Sequence, residues 1–144
     1  MTMAAQAPQY ILALDYGNKR VGVAIAHVIA RLPRPLTTLP NSDTLLDDIR
    51  KLVAQESAGL VLVGLPRGMD GGYTEQTRAA EQFAKKLSGE LDVRVELADE
   101  SLTSVDAEGA LGGSAHTKAD IDALAASYIL ERYLVEHSAG DLHV

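Results

Sequence analysis

A chain of 144 residues, 47% of them hydrophobic, is long enough to bury one substantial core and too short for a second lobe of similar size. It has no cysteine, which excludes disulfides, thiolate metal sites and cysteine nucleophiles and suits a reducing compartment. The net charge of −7 argues against general polyanion binding, but the excess is uneven: as far as Arg34 the single acid is Asp15, against Lys19, Arg20, Arg31 and Arg34, which leaves room for a local basic face. The first nine residues have no leader-like pattern, and no apolar run reaches membrane-spanning length. The expectation is a soluble cytoplasmic protein with one domain over 10–137 and flexible ends at 1–9 and 138–144.

In chain order, Tyr10 to Leu14 is almost wholly apolar, as expected of a central strand covered on both faces, and Asp15 ends the run. Gly17 and Asn18 tolerate positive φ, so the chain is expected to turn there and return as a second strand, Arg20 to Ala26. A third strand is expected within His27 to Thr38, and Pro33 and Pro35 assign it to an edge or make it irregular. Asn41, Ser42 and Asp43 offer caps for a helix to about Ser57, with Gly59 breaking it. Leu60 to Val63 is a short apolar strand running into the loop Gly64 to Gly72, which holds four glycines. The next helix is expected from Tyr73 to Leu87, stopped by Ser88-Gly89. Val93, Val95 and Leu97 alternate with Arg94 and Glu96 in a strand that leads to Asp99-Glu100. Thr103 caps a short helix to about Leu111, Gly112 to Ala119 forms a loop, and a final helix runs from Asp120 to Glu136 with Ile121, Leu124, Ala125, Tyr128 and Ile129 inward. The order is βββ, αβ, αβ, α, α.

Three acids stand out by position. Asp15 and Glu100 close apolar strands, with Asp99 an alternative to Glu100. Asp122 falls in the expected first turn of an alanine-rich helix, a place the helix dipole favours for acids whatever their function. Together they suit hard divalent cations, Mg²⁺ or Mn²⁺, which prefer carboxylate and water oxygens. Two such ions about 3.5 to 4 Å apart stabilise the attacking and leaving oxygens of phosphodiester hydrolysis, so water can act as nucleophile without a reactive side chain. Lys19 and Arg20 are placed either to balance such a site or to meet a phosphate. The glycine loop, with Arg67, is either a plain connection or a phosphate cradle of backbone N–H groups. Lys118 is a further phosphate contact or a solvated surface residue, and Tyr16 either stacks a base or packs.

The stretches LDYGNKRVGVA, VLVGLPRGMDGG, ADESLTS and IDALAASYILERYL, in that order between Tyr10 and about Leu134, resemble the four motifs of the YqgF/RuvX family, the Holliday-junction-resolvase-like nucleases. The resemblance implies an α/β architecture of the RNase H-like type, a five-stranded mixed sheet flanked by helices. It also implies catalytic, metal-holding acids at Asp15, Glu100 and Asp122, and favours Glu100 over Asp99. Nucleic-acid contacts fall to Lys19, Arg20, Arg67 and Lys118. The implied activity is metal-dependent endonucleolytic cleavage at the 5′ end of precursor 16S ribosomal RNA, with ribosomal particles as partners and a monomer or homodimer as the working form. Branched or single-stranded DNA is the competing substrate, and a non-catalytic ribosome-associated binding module is the competing role. A phosphotransferase with a similar Asp-x-Gly hairpin holds nucleotide between two lobes, so that reading requires this one-lobed chain to dimerise and bind ATP. Ser101 stands where the family has arginine, and the loop 112–119 is short and poor in basic residues, both of which bear on substrate binding.

Overall fold

The computed structural model describes residues 9–68, 70–99 and 118–137. Its elements are β1 (Tyr10–Tyr16), β2 (Arg20–His27), β3 (Arg34–Pro40), α1 (Leu45–Gln55), β4 (Ala58–Leu65), α2 (Glu75–Glu90), β5 (Arg94–Asp99) and α3 (Lys118–Glu136). The strands form one sheet in the order β3-β2-β1-β4-β5. The first three are antiparallel neighbours, whereas β4 and β5 run parallel to β1, so the sheet is mixed as expected.

Strand alternation sorts the core into two layers. Leu12 and Leu14 of β1, Val21, Val23 and Ile25 of β2, and Val61 and Val63 of β4 pack with Ile49 of α1 and with Ala80, Phe83 and Leu87 of α2. The intervening residues, Ile11, Ala13, Ala24, Ala26, Leu60 and Leu62, meet Ala126, Ile129, Leu130 and Tyr133 of α3. Central strands β1 and β4 are covered on both faces, which is why they read as continuous apolar runs.

Several boundaries move for physical reasons. The helix expected to break at Gly59 ends at Gln55; Ser57 takes the left-handed conformation (φ 56°), and Gly59 lies inside β4. The expected stop at Ser88-Gly89 is overturned, since α2 runs on to Glu90; the exposed Gly89 lies one residue from the end of the helix, where its cost of about 1 kcal/mol relative to alanine does not break it. The α2 N-terminus is fixed by reciprocal hydrogen bonds between Thr74 and Thr77. β3 is an edge strand with a register shift opposite Val23 and Ala24, as its prolines required. At the other edge, β5, Leu97 is 43% exposed, and among the described residues no further strand pairs with β5.

The buried stripe of α3 is rotated from the expected one. Ala123, Ala125, Ala126, Ile129, Leu130, Tyr133 and Leu134 are buried, while Ile121, Leu124 and Tyr128 are only partly so. Small side chains, Ala123, Ala125 and Ala126, occupy the first part of this buried face, and the larger Ile129, Leu130, Tyr133 and Leu134 fill the rest. The expected helix from Thr103 to Leu111 and most of the loop 112–119 lie outside the described residues.

Candidate active site

Asp15 continues the β1 alternation of Ile11 and Ala13, so its side chain belongs to the α3 face at the carboxyl end of the strand, where it is half-buried. Its partner across the β1–β2 ladder is Gly22. Directly facing residues of an antiparallel pair lie about 4.5–5.5 Å apart at Cα. Gly22 is also where α3 touches the sheet. A Cβ built there would stand 2.0 Å from the Asp122 carbonyl oxygen, 2.3 Å from its carbon and 2.9 Å from the Ala123 nitrogen. The missing side chain of Gly22 therefore lets the helix backbone rest on β2, and the residue seated there is Asp122. Two acids separated by more than a hundred residues in sequence flank one glycine.

Helix α3 begins at Lys118, two residues before the expected start. Lys118 is thus part of the helix rather than of a loop, and it is the first described residue of α3. Asp122 moves beyond the first turn, where Asp120 is the acid, so the helix dipole does not account for it.

Arg20 lies on the same side of β2 as Gly22 and donates from Nε to Oδ2 of Asp122 at 2.7 Å. This contact joins the hairpin to α3. Lys19 and Asn18, by contrast, are exposed at the hairpin tip. Neither Gly17 nor Asn18 has the positive φ expected of it; among the described residues that conformation belongs to Arg31, Ser57 and Gly71. Gly17 is required for another reason, since a Cβ there would lie 2.7 Å from the Arg20 carbonyl oxygen to which Gly17 donates its N–H.

The turn is held from outside by Asn41, which follows β3. Its side-chain amide donates to the Gly17 carbonyl at 2.8 Å, and its backbone N–H donates to the Lys19 carbonyl at 2.9 Å. Sequence reasoning saw Asn41 only as a helix cap and passed over Gly22 altogether. For Gly22 a signal existed, because a glycine inside an apolar strand often marks close approach of another backbone.

Three amides of the glycine loop are engaged within the loop itself. Gly68 donates to the Gly72 carbonyl at 2.9 Å, Gly71 to the Gly68 carbonyl at 2.8 Å, and Gly72 to Oδ1 of Asp70 at 2.8 Å. The Thr77 hydroxyl ties the start of α2 to the Pro66 carbonyl. Arg67 faces Asp99, with Nε 3.6 Å from Oδ1. Asp99 lies on the face of β5 opposite Ala98, which packs under α3, so it is directed away from the layer that holds Asp15 and Asp122. Glu100 lies outside the described residues. Tyr16 stacks on Phe83 with ring centroids 4.2 Å apart, which makes it a packing residue.

The donor chemistry at Gly22 fits a hard divalent cation: carboxylate oxygens from β1 and α3, one of them partly neutralised by Arg20. Among the described residues no group of three or more His, Asp and Glu closes around a common point.

The sheet order, the helices on both faces and the acids beside the central strand define the class of protein, an RNase H-like fold of the kind nucleases use. Its solved counterparts include Thermus thermophilus RuvC in complex with a Holliday junction, at a TM-score of 0.53 and 13% identity, covering 89% of this chain and 95% of RuvC. At that identity the likeness concerns the fold alone. The sequence profile described as RuvX, Holliday junction resolvase, matches residues 9–136, and the chain belongs to that family. Relatives named "Putative pre-16S rRNA nuclease" include one from Shewanella denitrificans, 40% identical over 131 residues, covering 87% of this chain and 93% of the relative. Another, from Chloroflexus aggregans, is 43% identical over 132 residues, covering 88% and 93%. No helix among the described residues is long and apolar enough to cross a membrane.

Proposed function

We propose that this chain hydrolyses phosphodiester bonds endonucleolytically with Mg²⁺ or Mn²⁺ held by Asp15, Asp122 and Glu100, and that its substrate is the 5′ end of precursor 16S ribosomal RNA. The observation that carries the reading is the seating of Asp122 on Gly22, the ladder partner of Asp15, which brings two distant acids to one end of the central strand. Within this reading the domain over 10–137 carries the activity in the cytoplasm, on ribosomal particles. The names of the curated relatives support RNA as substrate. The family's description supports branched DNA as the second reading.

A divalent cation in such a site activates water and stabilises charge on the phosphate oxygens. The chain's own residues do the positioning. β1 and α3 hold Asp15 and Asp122 on rigid elements, and the Gly22 contact fixes the separation of those elements. Asn41 braces the turn that carries Lys19 and leads into Arg20, whose cations offset the repulsion between an acidic protein and a polyanion. Arg67 and Lys118 are assigned to more distant backbone phosphates.

The test is cleavage of end-labelled precursor 16S RNA, single-stranded DNA and a four-way junction with either metal. Asp15→Asn, Glu100→Gln and Asp122→Asn are run alongside, each checked for folding. The wild type is expected to cut RNA fastest, and each variant to lose at least about 100-fold in rate. A preference for the junction moves the DNA reading ahead. Binding without cleavage, unchanged in the three variants, replaces the nuclease reading with that of a binding module.

A further inference from the structure

Arg20 reaches Asp122 across 102 positions of sequence through one N–H, from Nε to Oδ2 at 2.7 Å, with the two side chains 34% and 26% exposed. Among the described residues the terminal nitrogens of Arg20 make no further hydrogen bond or ion pair. The contact is therefore not the two-pronged arginine-carboxylate clasp that resists separation. Its two ends differ in freedom. Asp122 sits on a helix backbone pressed against Gly22, whereas Arg20 reaches it through a long, flexible and partly exposed side chain.

We propose that Arg20 is an exchangeable counter-cation that competes with a divalent ion for Oδ2 of Asp122, and that metal loading swings its guanidinium toward the phosphate side of the site. The inference rests on the metal reading given under Proposed function. A small divalent ion binds a carboxylate oxygen at about 2.0–2.1 Å. A guanidinium bonded to that same oxygen would lie within a few ångströms of the ion, in a site only partly open to water, where like charges repel strongly. Arginine cannot relieve the repulsion by losing a proton. The flexible partner therefore moves, and a guanidinium released at this position has its donors free for a phosphate oxygen. Because linkage is reciprocal, a phosphate that captures Arg20 also favours metal at Asp122.

The experiment is a Mn²⁺ titration of the full chain, free Mn²⁺ being followed by electron paramagnetic resonance, on wild type, Arg20→Gln, Arg20→Lys, Asp122→Asn and the double variant Arg20→Gln/Asp122→Asn. Circular dichroism verifies folding of each. Removing a partly exposed competing charge is expected to tighten Mn²⁺ binding in Arg20→Gln by about fivefold. Arg20→Lys, which keeps the charge, is expected to stay near wild type. In the Asp122→Asn background the Arg20→Gln effect should vanish.

Unchanged or weaker binding in Arg20→Gln, with Asp122→Asn still lowering affinity, overturns the exchange and leaves the metal site standing; Arg20 would then orient the carboxylate instead. Tightening by Arg20→Lys as large as that by Arg20→Gln also overturns it, since charge would not be the cause. If Mn²⁺ binding is insensitive to Asp122→Asn in every background, both the metal site and the exchange fall. Should Arg20→Gln not fold, Arg20→Met, which keeps the aliphatic stem, carries the same expectation.

Discussion

Replacing Gly22 by alanine adds one methyl group at the point where α3 rests on the sheet. The three atoms it would meet, at 2.0, 2.3 and 2.9 Å, are all backbone, so no rotamer change can clear them. To bring the nearest contact out to 3.0 Å, the shortest a Cβ tolerates, helix and strand must separate by at least about 1 Å. That separation loosens the layer in which Ala126, Ile129 and Leu130 meet Ala13, Ala24 and Leu62. Overpacking of this kind costs about 3 kcal/mol at the upper end of its usual range. For a domain of this size that corresponds to a fall of roughly 10 °C in melting temperature. The same displacement carries Asp122 away from Asp15, and a misplacement of about 1 Å between reacting groups costs about 100-fold in rate. Urea denaturation measures the first effect, and nuclease turnover well below the melting transition measures the second. Gly89→Ala is the control: it adds the same methyl to open space on the exposed side of α2 and is expected to gain about 0.5–1 kcal/mol with unchanged turnover. A Gly22→Ala protein with wild-type stability and turnover refutes the argument that this contact sets the geometry of the site.

Two further predictions concern the supports of the site and of α3. Asn41→Ala keeps the backbone bond to Lys19 but loses the side-chain donor to Gly17, and is expected to cost about 1 kcal/mol in urea denaturation. Asn41→Asp is expected to be worse than alanine, because a carboxylate cannot donate and would face the carbonyl it replaces a bond to. At the far end of α3 the Tyr133 hydroxyl lies 3.2 Å from Oε1 of Glu96, and burial together with that carboxylate pushes its pKa up to about 12. The folded state thus holds the phenol proton more tightly than the unfolded chain, whose value is near 10. This contribution is complete below pH 10 and is lost as pH rises toward 12. Tyr133→Phe is expected to flatten the decline of stability over that window, and an alkaline denaturation curve unchanged by the substitution refutes the assignment.

Most of the fold was legible because its central strands are buried on both faces. A run such as Tyr10 to Leu14 or Leu60 to Val63 has few other places to go in a chain of this size, and Pro33 and Pro35 kept the third strand at an edge. The misreadings cluster where local propensity met a tertiary contact or open solvent. Gly59 and Gly89 looked like breaks, yet one lies in a buried strand and the other points into open space at no steric cost. The rotated stripe of α3 came from weighting the large side chains Ile121, Leu124 and Tyr128. The small residues Ala123, Ala125 and Ala126 were the better guide, because they report how closely the helix approaches the sheet.

The candidate site divides along the same line. Asp15 stood out as a candidate in the sequence, since a carboxylate that ends a buried strand requires compensation and occupies the ligand end of a sheet. Asp122 was the weakest of the three candidates in the sequence: an acid near a helix start has an ordinary electrostatic explanation, and it loses that explanation when Lys118 is seen to lie within α3. Gly22 is the residue that makes the two belong together, and its signal was an absence, a strand position with no side chain among valines and alanines. Arg20 completes the arrangement from the same strand, two residues before Gly22 and so on the same face. In the proposed site the motif read as a hairpin with an acid at its mouth would therefore have three separate duties: Asp15 would supply an oxygen donor, Gly22 admits the helix that would supply another, and Arg20 pairs with the second. A substitution at any of the three alters the charge or spacing seen by the other two, so their effects on metal affinity should be strongly non-additive. Asn41, which touches only the turn, should add to them independently.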